Sequence, residues 1–174
     1  AGKGGIKVDE RYKENLVMSK TLVAFYSRAG ENYFGGNMKM LEVGNTEVAA
    51  KMIKDLTDAD IFKIQQMNEY DIGYDKCVQQ AKEDKNANIR PALKEKLASV
   101  ADYDVIYLGY PNYWGTMPMA VFTFLESLDF AGKTIKPFCT HEGSGMGSSE
   151  ADIKRLCPTA KVASGLAIKG SKVN

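Results

Sequence analysis

Residues 104–110 read DVIYLGY, a nearly continuous apolar run without polar alternation. A strand of that kind is buried on both faces, which happens when helices cover a parallel sheet from both sides. The rest of the chain supplies suitable partners. Residues 22–26, 59–64, 138–140 and 161–168 predict four further strands, with Pro137 at the entry of the 138–140 strand, where no ladder donor is required. Between them, Val48, Ala49, Met52, Ile53 and Leu56 fall on one helical face. Residues 75–85 place Cys77, Val78 and Ala81 on one side of a second helix, and Pro91 opens a further helical stretch across Ala92, Leu93 and Leu97. Residues 118–128 carry the stripe Val121, Phe122, Leu125, Leu128; residues 149–157 form a last helix that Pro158 stops. Strands alternating with helices, without repeats or linkers, predict a single α/β domain with a parallel sheet.

At 174 residues the chain fits one domain with a substantial core, and its net charge of +1 gives no global drive toward nucleic acid. No apolar run approaches the roughly 20 residues that span a bilayer, so no membrane partner is expected. Cys77, Cys139 and Cys157 are far apart and form no CxxC pair, the pattern of reduced thiols in a cytoplasmic protein. Residues 1–19 read as an N-terminal extension, with Met18 resembling a native start, and residues 20–174 as the domain. The alternative for the extension is a short helix, since Val8, Tyr12 and Leu16 recur at a spacing of four after Asp9.

Three polar, Gly-rich stretches each follow a predicted strand: residues 27–46, 111–116 and 141–148. In an open parallel sheet, ligands bind beyond the carboxyl ends of the strands, so these loops are expected to converge. The first offers Ser27, Gly44, Asn45 and Thr46 ahead of a helix N-terminus, a setting for an anion. The second, PNYWGT, sets Tyr113 and Trp114 beside Gly115, which suits a flat ring. The third, HEGSGMGSS, offers backbone amides for the polar atoms of that ring. A phosphate at one end and a planar heterocycle at the other describe a mononucleotide. Taken singly, each feature has a plainer reading: the glycines turn a surface loop, the aromatics pack, and His141 lacks metal-ligand company. The first loop has neither a Walker Gly-Lys-Ser/Thr ending nor GxGxxG.

SRAG with its delayed GNT, GYPNYWGTMP and FCTHEGSGMGSS together resemble the flavodoxin-like FMN-binding proteins, as do RPAL at 90–93 and the ending SGLAIKGSKV. More narrowly, they resemble the flavodoxin subgroup with a long insert in the phosphate loop, over residues 20–173. The resemblance implies a three-layer sandwich whose five-stranded parallel sheet has the order 2-1-3-4-5, with FMN as cofactor. It implies that Ser27, Arg28, Ala29, Asn45 and Thr46 hold the phosphate. Pro111, Asn112, Tyr113, Trp114 and Gly115 would flank the isoalloxazine, and Thr140, His141, Glu142, Gly143 and Gly145 would line its polar edge. Residues 31–43 become an insert dividing the phosphate loop, either shielding the cofactor or receiving a partner.

Departures accompany the resemblance. Ala29 stands where short-loop flavodoxins commonly have threonine, and Asn32 and Asn45 compete as loop anchors. The sequence stops at Asn174, where the family's closing helix would begin. Losing that helix would expose apolar side chains at about 1.5–3 kcal/mol each. The N-terminal segment, a homodimer partner or residues beyond Asn174 are expected to cover them. Two functions follow: an electron carrier serving redox partner proteins, or an enzyme similar to NAD(P)H-dependent quinone or FMN reductases. A flavin-free interaction domain is the third reading. Near-zero charge argues against a carrier, since those it resembles are usually strongly acidic. The absence of a nicotinamide fingerprint argues against the enzyme, and the carrier is the favoured reading.

Overall fold

The structure, a computed structural model, describes residues 20–173. The N-terminal extension and its alternative helix lie outside the described residues. The apolar runs become β1 (Thr21–Phe25), β4 (Asp60–Lys63), β5 (Val105–Pro111) and β6 (Thr134–His141). Two further strands, β7 (Lys161–Val162) and β8 (Leu166–Lys169), both pair with β6. All pairings within this sheet are parallel, and the order β4-β1-β5-β6-β7, with β8 beyond β7 on the same edge of β6, is the expected 2-1-3-4-5 with its fifth strand divided. The helices are α1 (Asn45–Thr57), α2 (Tyr74–Asn86), α3 (Met119–Glu126) and α4 (Ser149–Leu156). None is long and apolar enough to cross a membrane.

Period-two alternation divides the core. Leu22, Ala24, Ile106, Leu108, Tyr110, Ile135 and Cys139 point to one face, where they pack with Ala120, Val121, Phe124 and Leu125 of α3 and Ile153 of α4. Val23, Phe25 and Phe138 point to the other, under Ala49 and Ala50 of α1. Burial on both sides of β5 is what its unbroken apolar sequence demanded.

Four local expectations are corrected. The stretch after Pro91 is not helical: Met67 N–H donates to Ala92 O (2.8 Å) and Lys94 N–H to Gln65 O (2.8 Å), so its backbone is committed to the loop after β4. Pro137 lies inside β6, not at its entry. Ala163 N–H donates to Ile135 O, so Pro137, two residues on, presents its donorless nitrogen to the same side, at the gap between β7 and β8. That gap also divides the strand expected over residues 161–168. Residues 31–43, expected only as a loop insert, form a β-hairpin of β2 (Gly30–Phe34) and β3 (Asn37–Leu41).

At the place of the closing helix, a 3-10 turn (Gly170–Lys172) follows β8, and Val173 packs with the Val23–Phe25–Phe138 cluster. Glu47 of α1 is ion-paired to Lys63 of β4 (2.8 Å), and Met52 and Leu56 lie on the other flank of the helix, exposed. Leu56 is 86% exposed and Leu166 of β8 is 59% exposed, so apolar surface is open on this side.

The three cysteines are free and buried. Burial pushes the Cys157 thiol up to about 11 and the Cys139 thiol up to about 12, from an ordinary 9.0. Burial, then the hydrogen bond and charge of Asp60, pushes the Tyr103 phenol up to about 12. The unfolded chain ionises these groups first, so the stability they contribute is complete below about pH 9 and is lost as pH rises through 11–12. Scanning calorimetry is expected to show Tm falling above about pH 9, less steeply in Cys157→Ala. A Tm that stays flat through pH 11 contradicts this.

Candidate functional site

The site begins where β1 ends against the start of α1. Ser27 Oγ accepts the Glu47 amide (3.0 Å), standing in for a side-chain cap that Gly44 cannot supply. The Val48 amide bonds Gly44 O, so the first two amides of the helix, on Asn45 and Thr46, have no partner among the described residues. The approach is close: a Cβ on Gly44 would sit 2.3 Å from Ser27 Oγ and 2.6 Å from Arg28 O. Across this opening, Thr46 Oγ1 and Thr140 Oγ1 share a hydrogen bond of 2.7 Å. Asn45 Oδ1 is buried without a partner among the described residues.

Arg28 holds the insert in place. Its Nη1 donates to Glu31 O, and its Nη2 to Asp71 O (2.9 Å) and Ile72 O (2.7 Å), while its buried Nε has no partner among the described residues. It takes part in none of the ion pairs among the described residues. Asn32 Nδ2 bonds Arg28 O and Gly30 O and secures the hairpin base, and both Asn32 and Asn45 line the opening. The hairpin's far end reaches the third loop, where Glu142 accepts the Gly35 amide (3.3 Å) and the Ser171 amide (2.8 Å).

The second loop is a tight hairpin turn. Tyr113 and Thr116 exchange backbone hydrogen bonds, and Trp114 (φ 55°) and Gly115 (φ 84°) both adopt positive φ, as in a type I′ turn. Asn112 braces it by accepting the Gly115 amide and donating to Gly145 O (both 2.9 Å). The Trp114 indole donates to Val78 O of α2 (2.9 Å). Tyr113 turns inward, its ring edge-on to Tyr26 at 5.9 Å. Only part of Tyr113 is exposed, and its hydroxyl lies deep enough that desolvation, then the charges of Tyr26 and Cys77, push the phenol well above its usual range. In the third loop, His141 Nδ1 accepts the Gly143 amide (2.9 Å), which leaves Nε2 to carry the proton of the neutral ring.

These loops enclose a cleft of about 370 Å³. Ser27, Arg28, Asn45, Thr46, Pro111, Asn112, Tyr113, Trp114, Gly115, Thr140, His141 and Glu142 line it. Ala29 instead lines a neighbouring depression, and Gly143 and Gly145 do not line the cleft but hydrogen-bond His141 and Asn112, which do. The sequence reading missed one whole wall. Tyr74, Cys77, Val78 and Ala81 of α2 face the cleft, with Tyr33 of the hairpin beside them. Their helical spacing was visible, but a stripe of that kind reads as core until the opposing loop is located. Among the described residues no cluster of His, Cys, Asp or Glu forms a metal site.

Comparison with curated proteins gives no match. A flavoprotein of Bacteroides uniformis is 31% identical, with 89% of this chain and 93% of that chain covered and a TM-score of 0.71. One from Bacteroides eggerthii is 26% identical over 89% and 93% of the two chains, with a TM-score of 0.69. A Lactobacillus acidophilus flavoprotein, solved in complex with FMN, shares the fold at a TM-score of 0.65, with 19% identity over 89% of this chain and 96% of that one. The family model described as Flavodoxin matches residues 38–174, from the second strand of the hairpin through all the parallel strands after β1. With its parallel sheet, strand-end cleft and divided first loop, the chain belongs to the flavodoxin family.

Proposed function

We propose that this cleft holds FMN and that the protein is an electron-transfer flavoprotein. The carrying observation is a pair of buried atoms without partners among the described residues, the acceptor Asn45 Oδ1 and the donor Arg28 Nε, beside the two open amides of α1. Each such atom costs about 1–3 kcal/mol when left unmade. A phosphate ester flanked by hydroxyls offers an acceptor for one and donors for the other, so the residues fit the group. The open amides and the positive end of the helix dipole favour the same anion. The FMN complex of the Lactobacillus acidophilus protein on the same fold supports the choice of nucleotide.

Bound there, FMN supplies one- and two-electron redox chemistry. Ser27, Asn45 and Thr46 would hold the phosphate, with Arg28 contributing a positive charge that joins no ion pair among the described residues. Tyr113 and Trp114 would border the ring, and His141 Nε2–H can donate to a polar atom at its edge. The exposed Trp114 and Tyr33 leave the mouth open to a second redox centre, which favours a carrier over a closed substrate pocket.

The test is a fluorescence titration with FMN followed by a redox titration of the loaded protein. Stoichiometric quenching and two separate one-electron steps are expected, with negligible NADPH oxidation in the presence of a quinone. Absence of FMN quenching overturns the cofactor. A single two-electron step with rapid NADPH–quinone turnover overturns the carrier in favour of a reductase.

A further inference from the structure

One side chain pins the Gly-rich third loop to the strand before it. β6 ends at His141, whose Nδ1 accepts the amide of Gly143, two residues on (2.9 Å). The arrangement is that of an Asx turn with an imidazole in place of the carboxamide. No further hydrogen bond among the described residues holds Gly143. Ser144 follows and lines the cleft, and the next fixed point is Gly145, whose carbonyl accepts Asn112 Nδ2 (2.9 Å). Gly143 itself has a φ of 136°, a conformation that L side chains rarely adopt and that glycine leaves easily. The place of Ser144 in the cleft wall therefore depends on one acceptor nitrogen.

That acceptor can be switched off by a proton. Neutral imidazole accepts at one nitrogen and donates at the other, whereas the cation donates at both. A protonated His141 would set Nδ1–H against the Gly143 N–H, so the bond is lost and two donors face each other. The Gly143 peptide then rotates away and carries Ser144 with it. The charged and titratable groups around the ring are Glu142 beside it, Lys169 opposite on β8 and Lys172 in the turn beyond. Arg28, Tyr33, Tyr74 and Cys77 line the same cleft. Glu142 is engaged by the Gly35 and Ser171 amides. Burial holds the Tyr74 phenol and the Cys77 thiol above their ordinary values. Carboxylates, phenols, lysine and arginine ordinarily titrate outside pH 5–8 and histidine inside it, which makes the imidazole the proton-sensitive member of this set.

We propose, on the FMN reading of the cleft, that His141 is a positioning residue that makes cofactor binding proton-dependent: its neutral ring holds Gly143 and Ser144 in the cleft wall, and its protonation releases them. The cofactor binds the pinned loop. Affinity is therefore complete while the ring is neutral and falls as pH drops through the ring's titration. The step adds one solvent proton to Nδ1, breaks one hydrogen bond and alters no covalent bond in the loop.

The test measures FMN fluorescence quenching between pH 5 and pH 8, at constant ionic strength, in wild type, His141→Asn and His141→Ala. Asparagine offers an acceptor to the amide two residues on and takes up no proton in this range. The FMN phosphate titrates at about pH 6, a contribution common to all three proteins. From pH 8 to pH 5 the wild-type Kd is expected to rise about tenfold more than that of His141→Asn, the worth of one hydrogen bond. Because His141→Asn also loses the Nε2–H contact at the ring edge, the slopes are compared and not the absolute affinities. His141→Ala, without an acceptor, is expected to bind more weakly than His141→Asn at pH 8 and to share its shallow slope. In flavin-free protein, the Gly143 amide resonance should shift together with the His141 ring resonances as pH falls, and should stay in place in His141→Asn. Equal slopes in wild type and His141→Asn, tighter wild-type binding at pH 5 than at pH 8, or a Gly143 amide that ignores the ring's titration overturns the proposal. Absence of quenching at pH 8 overturns the FMN reading instead, while the flavin-free resonances still decide whether the ring holds the loop.

Discussion

Gly44→Ala is expected to weaken FMN binding by roughly 100-fold, as about 3 kcal/mol of charge-assisted hydrogen bonding to the phosphate is lost. The added Cβ would lie 2.3 Å from Ser27 Oγ and 2.6 Å from Arg28 O, and the second of these is backbone that no rotamer change relieves. Either β1 and α1 separate or the loop rotates. In both cases Ser27 Oγ releases the Glu47 amide, and the open amides of Asn45 and Thr46 lose their aim. Flavin fluorescence titration measures the affinity, and circular dichroism confirms that the parallel sheet persists. Wild-type affinity in a folded Gly44→Ala protein would remove the helix N-terminus from the phosphate site.

Trp114→Asn is expected to separate binding from stability. A bulky aromatic at φ 55° occupies left-handed space that costs roughly 1–2 kcal/mol. Asn-Gly is the favoured pair for this turn, so the substitution relieves strain while losing the exposed indole contacts with Val78 O and Lys82. Flavin-free protein should therefore keep its Tm within about 1 kcal/mol of stability, where truncating a core aromatic costs about 3–5 kcal/mol. FMN affinity should fall by roughly tenfold, the worth of an aromatic stacking contact of about 1–1.5 kcal/mol. Thermal melts with and without FMN measure both quantities at once. A large loss of stability with unchanged affinity would make Trp114 a packing residue.

These two positions show why the site was only partly legible in one dimension. The helix start at Asn45, the aromatic pair Tyr113–Trp114 and the glycine-bearing third loop are local signals, each written in turn chemistry or capping. They also lie at strand ends, and the parallel sheet collects strand ends at one edge. The α2 wall was misread for the opposite reason. Tyr74, Cys77, Val78 and Ala81 have the spacing of a core stripe, and whether such a stripe meets a sheet or a cleft depends on elements distant in sequence. The hairpin of the insert was missed because its strands are short, its side chains mostly polar or exposed, and its pairing is sealed by Arg28 and Glu142 from outside the insert.

The divided fifth strand has a related cause. Its ends, Lys161–Val162 and Leu166–Ile168, pair as strand, whereas Ala163, Ser164 and Gly165 between them are poor strand formers, and Pro137 of the neighbouring β6 presents no donor at the middle of that edge, so the ladder parts there. The stretch after Pro91 is the converse case. Its pattern permits a helix, but the loop after β4 claims its amides and carbonyls first.

The sequence by itself determined the alternating architecture, the strand that lies at its centre and the three loops that meet, because burial periodicity and turn chemistry are local properties of the chain. Only the tertiary structure decided that α2 walls the cleft and that residues 31–43 form a hairpin anchored by Arg28 and Glu142. It alone showed that Asn45 Oδ1 and Arg28 Nε are buried without partners among the described residues. Those outcomes depend on contacts between residues tens of positions apart, and hydrogen-bond satisfaction is a property of the assembled fold.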